Sequence, residues 1–185
     1  MSAVGTLSVA MPTLIPDPLP VEVEALLKRR REWGADHHDE VWEGVLHMSP
    51  PPSPRHELIV TQLITLLQPL AKAKGMAALG AAGIGVTDDH RVPDLTLLRP
   101  PAVQWNPTAA LAVEVLSWRE PADKKLGFYA AHDVDEVLIV DPHKQTVEWF
   151  ARDVDTYRPL QRSRLIALGA DELTGRLGWP APFAS

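Results

Sequence analysis

The strongest constraint in this sequence is a carboxylate inside each of two otherwise apolar stretches. Asp94 stands near the start of the apolar stretch 92–98, and Glu114 stands in the middle of the stretch 111–117. Both have the residue types of buried β-strands, and the apolar run 137–140 predicts a third. An unpaired charge in a buried strand is costly unless it is neutralised or paired. The sequence therefore predicts a compensating partner for the two acids, and a divalent cation is the simplest one.

The composition is that of one ordinary globular domain. The chain has 185 residues, of which 45% are hydrophobic and 23% are charged. The sequence has no cysteine, which excludes disulfides, thiolate zinc sites and cysteine nucleophiles. No apolar run approaches the roughly 20 residues that span a bilayer, and no basic region precedes the short apolar stretch near the N-terminus. We therefore expect a cytoplasmic protein with no membrane attachment.

The formal net charge of −6 limits how the chain could act on nucleic acid. Coating nucleic acid through the net field of the protein requires an excess of lysine and arginine. A nuclease is compatible with this charge, because a bound cation neutralises carboxylates and a local basic rim can steer the substrate. The basic run 28–31 is interpreted first as a solvated face near the end of a helix, with phosphate contact as the alternative.

The order of patterns along the chain predicts a single α/β domain with a mixed β-sheet flanked by helices. We expect a proline-rich N-terminal arm over residues 1–20, one domain over 21–175 and a C-terminal coil over 176–185. Helical periodicity predicts helices over 21–33, 54–74 and 120–132, the second one capped by Ser53 with Pro54 in its first turn. Alternating or continuous apolar residues predict a hairpin over 39–49 and strands over 76–85, 92–98, 111–117, 137–141, 145–150, 157–160 and 164–168.

Strand geometry indicates how the two acids could share a cation. Side chains alternate along a strand, so Glu114 faces away from the side that Val113 and Val115 share. Sequential strands usually lie side by side, which would bring Asp94 close to Glu114. Two such carboxylates can bind one Mg²⁺, which would polarise a phosphoryl oxygen and activate a bound water for phosphodiester hydrolysis. Lys125, in the next predicted helix, could orient that water or stabilise charge developing on phosphorus.

Several segments taken together resemble one family. They are Pro93-Asp94, 113–117 (VEVLS), 125–130 (KLGFYA) and 136–142 (EVLIVDP), preceded by 40–44 (EVWEG) and 48–56 (MSPPPSPRH). In this order and spacing they are similar to the Uma2 family of predicted bacterial endonucleases, within the PD-(D/E)XK restriction-endonuclease-like superfamily. The resemblance covers about residues 39–150.

The resemblance implies a restriction-endonuclease-like α/β core and a site of three residues. By position, Asp94 and Glu114 match the metal-binding acids of the family. Lys125 matches the catalytic lysine, which such sequences carry on the following helix. The implied cofactor is Mg²⁺ or Mn²⁺, and the implied substrate is DNA.

Two positions depart from the family pattern. The superfamily usually has a lysine two residues after the glutamate, and Leu116 stands there in this chain. An acid that usually precedes the helical lysine by one turn falls at Pro121. Glu120 or Asp123 is the candidate replacement for that acid.

Each candidate residue also has a structural interpretation. Asp94 could cap a turn, and Glu114 could form a structural ion pair with Lys125 or an arginine. Glu40 could add an accessory acid to the site, with a surface position in the hairpin as the alternative. His56 could face the site, with packing at the start of its helix as the alternative.

Tyr129 is the remaining candidate accessory residue. It follows Lys125 by four positions, so the two side chains share a helix face and Tyr129 could orient the lysine. The favoured function is metal-dependent endonuclease cleavage of DNA, for which a homodimer would suit the cutting of both strands. The alternative is a nuclease-fold module, weakly active or inactive, that serves as a DNA- or protein-binding scaffold.

Overall fold

The centre of the fold, in a computed structural model that describes residues 19–117 and 123–181, is a mixed β-sheet. For residues 123 and 124 the description covers the backbone alone. The helices in the described ranges are α1 (Val21–Glu32), α2 (Pro54–Lys72), α3 (Asp123–Ala131) and α4 (Ala170–Arg176). The strands are β1 (Glu40–Trp42), β2 (Val45–His47), β3 (Ala77–Gly80), β4 (Gly83–Val86), β5 (Asp89–Arg91), β6 (Leu95–Leu98), β7 (Trp105–Asn106), β8 (Leu111–Val115), β9 (Glu136–Asp141), β10 (Thr146–Asp153) and β11 (Thr156–Leu160).

These strands form two mixed sheets. The larger sheet has the order β11-β10-β9-β8-β6-β3, in which β8 and β9 are parallel and the other pairs are antiparallel. The smaller sheet has the order β2-β1-β5-β4-β7, in which β4 and β7 are parallel. The expected α/β class, with a mixed sheet flanked by helices, is confirmed. The smaller sheet is an addition that the sequence patterns did not predict.

Strand β8 is buried on both faces, and its side chains alternate between two hydrophobic clusters. Leu111, Val113 and Val115 pack in the cluster that α2 and α4 cover. Ala112 packs in the cluster on the other face, together with side chains from β4 and α3. The alternation therefore turns Glu114 toward the face that α3 and the smaller sheet cover.

Helix α2 covers the first face because its sequence provides both a start signal and an apolar stripe. The Ser53 side chain accepts a hydrogen bond from the backbone N–H of His56 at 3.3 Å, and Pro54 occupies the first turn, as predicted. Gly75, with φ +70°, follows the end of the helix. The buried residues of the stripe are Ile59, Val60, Leu63, Leu67 and Ala71.

Two parts of the chain differ from the prediction. The strand expected over 76–85 is two strands, β3 and β4, in different sheets, because the backbone turns between them at Ala81 (φ 49°). The strand expected over 164–168 is wrong: this segment is a turn in which the Ser163 hydroxyl accepts hydrogen bonds from two following backbone N–H groups. Helix α4, which follows that turn, was not predicted.

Some expectations concern residues outside the described ranges. Residues 1–18 of the expected arm lie there, as do residues 118–122, which include Glu120 and Pro121. The helix expected over 120–132 is observed as α3 within the described residues. The division into 1–20, 21–175 and 176–185 stays a prediction. Within 19–117 and 123–181, no helix combines the length and apolar character that crossing a membrane requires.

Truncating the buried stripe of α2 tests its share of the core. Leu63 is fully buried, whereas Leu58 on the same helix is 47% exposed. We expect Leu63→Ala to lower the free energy of unfolding by about 2–5 kcal/mol, because it leaves a cavity in the core. Leu58→Ala is the matched control and should stay within about 0.5 kcal/mol of the unmodified chain. Urea denaturation measures both, and equal losses would contradict the packing described.

Candidate active site

The carboxylate of Asp94 is fixed at the end of strand β8. The β6–β8 register pairs Leu95 with Val113, so Asp94, one residue before β6, stands opposite Glu114. Asp94 Oδ2 accepts a hydrogen bond from the backbone N–H of Val115 at 2.7 Å. Asp94 therefore binds the backbone of the strand that carries Glu114, rather than capping a local turn.

Glu114 is buried and receives two side chains from α3. Lys125 Nζ lies 3.2 Å from Glu114 Oε2, and the Tyr129 hydroxyl donates a hydrogen bond to Glu114 Oε1. Lys125 and Tyr129 are themselves buried, one helical turn apart on the same face. Tyr129 thus reaches the same carboxylate as the lysine, as the i, i+4 spacing suggested. The Glu114–Lys125 ion pair exists, which keeps the structural interpretation open beside the catalytic one.

Glu40 joins this group from the smaller sheet. It is the first residue of β1 and is only 5% exposed, so the surface alternative is wrong. Glu40 Oε1 lies 3.0 Å from Lys125 Nζ and accepts a hydrogen bond from the Val92 N–H at 2.8 Å. Glu40 Oε2 accepts a hydrogen bond from Trp42 Nε1 at 2.7 Å. The Lys125 ammonium therefore lies against two carboxylates that belong to different sheets.

His56 faces the site from the first turn of α2. Its Nε2 lies 3.2 Å from Asp94 Oδ2, and its Nδ1 is buried without a hydrogen-bond partner among the described residues. Burial acts to lower the pKa of His56, but the hydrogen bond and negative charge of Asp94 outweigh it, so the pKa is raised. The structure thus places His56 in the site, in addition to its position at a helix start.

Trp42 and Arg91 lie near the site but were not predicted from the sequence. Trp42 donates to Glu40, and Arg91 lies over the Trp42 ring at 4.5 Å and over the Phe128 ring of α3 at 4.1 Å. Arg91 Nη1 also donates to the Val41 carbonyl oxygen at 2.7 Å. The spacing of Glu40 and Trp42 on one strand was a usable signal, because residues two apart share a face. Nothing local marks Arg91, whose partners are distant in sequence.

One cavity brings most of these side chains together. It has a volume of about 530 Å³. The candidate residues that line it are Glu40, His56, Asp94, Glu114 and Lys125. Tyr129 lies behind Glu114 and does not line the cavity, and the side chain of Asp123 lies outside what the structure describes. Further lining residues are His38, Pro50, Pro51, Pro52, Arg55, Leu116, Ser117 and His143.

Burial and neighbouring charges raise the pKa of Glu114 and of Tyr129. Burial raises the pKa of Glu114 to about 8, and the charges of Asp94 and Glu40 act in the same direction, while the Lys125 ammonium opposes them. Burial and the Glu114 carboxylate raise the pKa of Tyr129 well above its ordinary value. A positive charge added next to Glu114 would favour its ionised form.

The donor set fits a hard cation that keeps much of its water. Among residues 19–117 and 123–181, no group of three or more histidine, aspartate or glutamate side chains is placed to hold a metal ion. Mg²⁺ commonly takes only one or two carboxylates and retains several waters. Asp94 and Glu114 offer two such carboxylates, on neighbouring parts of the sheet and lining the same cavity.

Removing the Glu114 charge tests the cost of burying it. Its folded-state pKa is raised above the ordinary value of 4.5, so between that value and about 8 the folded chain holds a proton that the unfolded chain has released. The free energy of unfolding should therefore fall as the pH rises through this window in EDTA. The raised pKa of His56 acts in the same direction, so the comparison is made between variants. Urea denaturation across the window should show a smaller fall for Glu114→Gln, and equal falls would contradict the assignment.

A mixed sheet with two acids on neighbouring strands and a lysine on the next helix is the arrangement expected of restriction-endonuclease-like nucleases. The chain belongs to the Uma2 family, whose model, described as "Putative restriction endonuclease", matches residues 23–177. The match confirms the resemblance seen in the sequence motifs. Membership places the chain in a family described as nucleases. A comparison with curated proteins gives no match.

Comparison with solved structures supports the same fold. The chain is similar to the crystal structure of "a putative nuclease belonging to DUF820 from Anabaena variabilis", with a TM-score of 0.63 and 17% sequence identity, covering 75% of this chain and 90% of that one. A second similarity, to a structure described as "DrdV-DNA complex", has a TM-score of 0.37 and 13% identity, over 66% of this chain and 13% of that one. The first establishes the restriction-endonuclease-like fold, and the second is too low to add to it.

Proposed function

We propose that the protein is a Mg²⁺- or Mn²⁺-dependent endonuclease that hydrolyses DNA phosphodiester bonds in the cytoplasm. The observation that carries the proposal is the convergence of Asp94, Glu114 and Lys125 on one cavity, with the lysine ammonium 3.2 Å from the Glu114 carboxylate. Family membership supports nuclease chemistry. The chemistry of these three groups suggests the metal, and the family resemblance implies the DNA substrate.

Each residue has a distinct task in the proposed reaction. Asp94 and Glu114 would hold the cation, which when bound supplies a Lewis acid at the phosphoryl oxygen and an activated water. Lys125 would orient the attacking water or offset the charge that develops on phosphorus. His56 holds Asp94 through the 3.2 Å contact and would keep its carboxylate directed into the cavity.

Substrate binding has to overcome the net charge of −6. Arg55, His38, His56 and His143 line the same cavity and place positive or protonatable groups around the acids. Such a rim would attract a phosphodiester locally, although the whole chain repels it. We also propose a homodimer, which would present one site to each strand of a duplex.

A scaffold without turnover is the second candidate function. The observation in its favour is that both oxygens of Glu114 already accept hydrogen bonds from Lys125 and Tyr129. Calorimetry with Mn²⁺ separates the two candidates. Absence of binding at millimolar Mn²⁺ in a folded protein would support the scaffold, and binding that is lost in Asp94→Asn would support the nuclease.

Nicking of supercoiled plasmid tests the proposed activity directly. We expect Mg²⁺- or Mn²⁺-dependent nicking that falls at least about 10²-fold in Asp94→Asn, which weakens the cation site, and in Lys125→Met, which removes a charge-stabilising donor. Glu148→Gln changes an exposed carboxylate on β10 and is the matched control. It should nick at the unmodified rate. Equal cleavage by all four proteins would indicate a contaminating nuclease and leave the protein without its proposed activity.

A further inference from the structure

The contacts of Glu40 point to a role in keeping the lysine of the site in place. We propose that Glu40 is a positioning residue that holds the Lys125 ammonium while Glu114 binds a cation, and that Glu40 is not itself a ligand of that cation. The inference rests on the proposed function and assigns a further residue to the same site. It differs from both interpretations of Glu40 drawn from the sequence, an accessory acid at the metal and a surface residue of the hairpin.

A conflict between the lysine and the cation makes a holding residue necessary. Lys125 Nζ and a cation on Glu114 would use the same carboxylate, since the ammonium already lies 3.2 Å from Glu114 Oε2. Two positive charges at such short range repel each other, most strongly where little water screens them. Bound to Glu114 alone, Lys125 would be displaced when the cation enters. Glu40 Oε1, at 3.0 Å from Nζ, provides a second carboxylate that the cation does not occupy.

Glu40 is fixed by donors that prevent it from turning to the cation. Its Oε1 accepts a hydrogen bond from the Val92 N–H at 2.8 Å, and its Oε2 accepts one from Trp42 Nε1 at 2.7 Å. The side chain is only 6% exposed. Rotation toward a metal would leave a buried backbone N–H and a partly buried indole N–H without their acceptor. The carboxylate is therefore held in one orientation, with one oxygen directed at the lysine.

The residue that orients Glu40 is also linked to the helix that carries the lysine. The Trp42 ring packs against the Arg91 guanidinium, and Arg91 packs against the Phe128 ring three residues beyond Lys125 on α3. Arg91 is itself only 5% exposed. This stack connects the smaller sheet to α3, so it fixes the relative positions of the acid and the ammonium that pair between them.

Four variants, measured by kinetics and by calorimetry, test the proposal. Glu40→Gln keeps the shape of the side chain but removes its charge, Trp42→Phe keeps a ring over Arg91 but removes the donor to Glu40, and Glu148→Gln is the exposed control. For Glu40→Gln we expect kcat to fall about 10- to 100-fold, the range typical for the loss of a residue that orients a functional group of the site by a hydrogen bond. The KM for DNA and the Mn²⁺ dissociation constant from calorimetry should stay near those of the unmodified protein. Trp42→Phe should lower kcat less, and Glu40→Asp should recover part of the loss.

The Mn²⁺ affinity and kcat of the variants decide whether Glu40 is a positioning residue or a cation ligand. Loss of Mn²⁺ binding in Glu40→Gln would make Glu40 a cation ligand and overturn the proposal. An unchanged kcat in both Glu40→Gln and Trp42→Phe would overturn it as well. A lowered kcat with retained Mn²⁺ affinity would support it. If Glu40→Gln does not fold, as judged by circular dichroism, Trp42→Phe carries the same comparison.

A spectroscopic measurement keeps this inference separate from the proposed activity. The ¹⁵N–¹H signal of a lysine ammonium is sharp when the group is held in a buried ion pair, and Lys125→Arg would assign the signal. With Mg²⁺ present, we expect the signal in the unmodified protein and in Glu148→Gln, and its loss in Glu40→Gln. A signal that persists in Glu40→Gln would overturn the positioning role. If the unmodified protein neither binds Mn²⁺ nor cleaves DNA, the proposed function fails, and this signal in metal-free protein still decides whether Glu40 holds Lys125.

Discussion

The site depends on a buried ammonium group placed against two carboxylates. Lys125 Nζ lies 3.0 Å from Glu40 Oε1 and 3.2 Å from Glu114 Oε2, and all three side chains are almost completely buried. A lone lysine at such a position would tend to lose its proton, and a lone carboxylate would tend to gain one. The Lys125 ammonium opposes the rise in pKa that burial causes at Glu114, and removing the lysine would leave buried acids without a positive partner, at a cost of about 3–5 kcal/mol. The same contacts also set the geometry of the proposed chemistry.

The elements that meet at the site come from separate parts of the fold. The larger sheet contributes Glu114 on β8, and Asp94 lies one residue before β6 of the same sheet. Helix α3 contributes Lys125, α2 contributes His56 and the smaller sheet contributes Glu40. The hydrophobic clusters on the two faces of β8 hold these elements against one another. A site built in this way requires the complete core, because no single helix or hairpin carries enough of it.

Sequence reasoning found the residues whose chemistry is unusual for their local pattern. Asp94 and Glu114 are acids within apolar stretches, so their patterns alone indicated a site. The next predicted helix supplied Lys125, which the motifs of the family then matched to a catalytic lysine. Glu40 has no such mark, because an acid in a short hairpin usually lies on the surface. Its burial follows from the packing of the smaller sheet beside α3, a contact between residues far apart in the chain. Long-range contacts of this kind have no local signal.

The contrast between local sequence patterns and long-range contacts also explains which helices and strands were predicted. The buried strands β8 and β9 and the capped helix α2 carry strong periodic or continuous apolar patterns, and all three are observed. The segment 76–85 has the composition of one strand, but the left-handed backbone at Ala81 directs its two halves to different sheets. Helix α4 has only seven residues, too few for a clear helical period.

We propose that Asp94 and Glu114 hold one cation next to a lysine that Glu40 keeps in place. A crystal structure of the protein soaked in Mn²⁺, with an anomalous difference map, measures this most directly. We expect one Mn²⁺ peak bound by a carboxylate oxygen from each of Asp94 and Glu114, with Lys125 still paired to Glu40. A map with no peak between these two acids, or with Lys125 turned out to solvent, would contradict it.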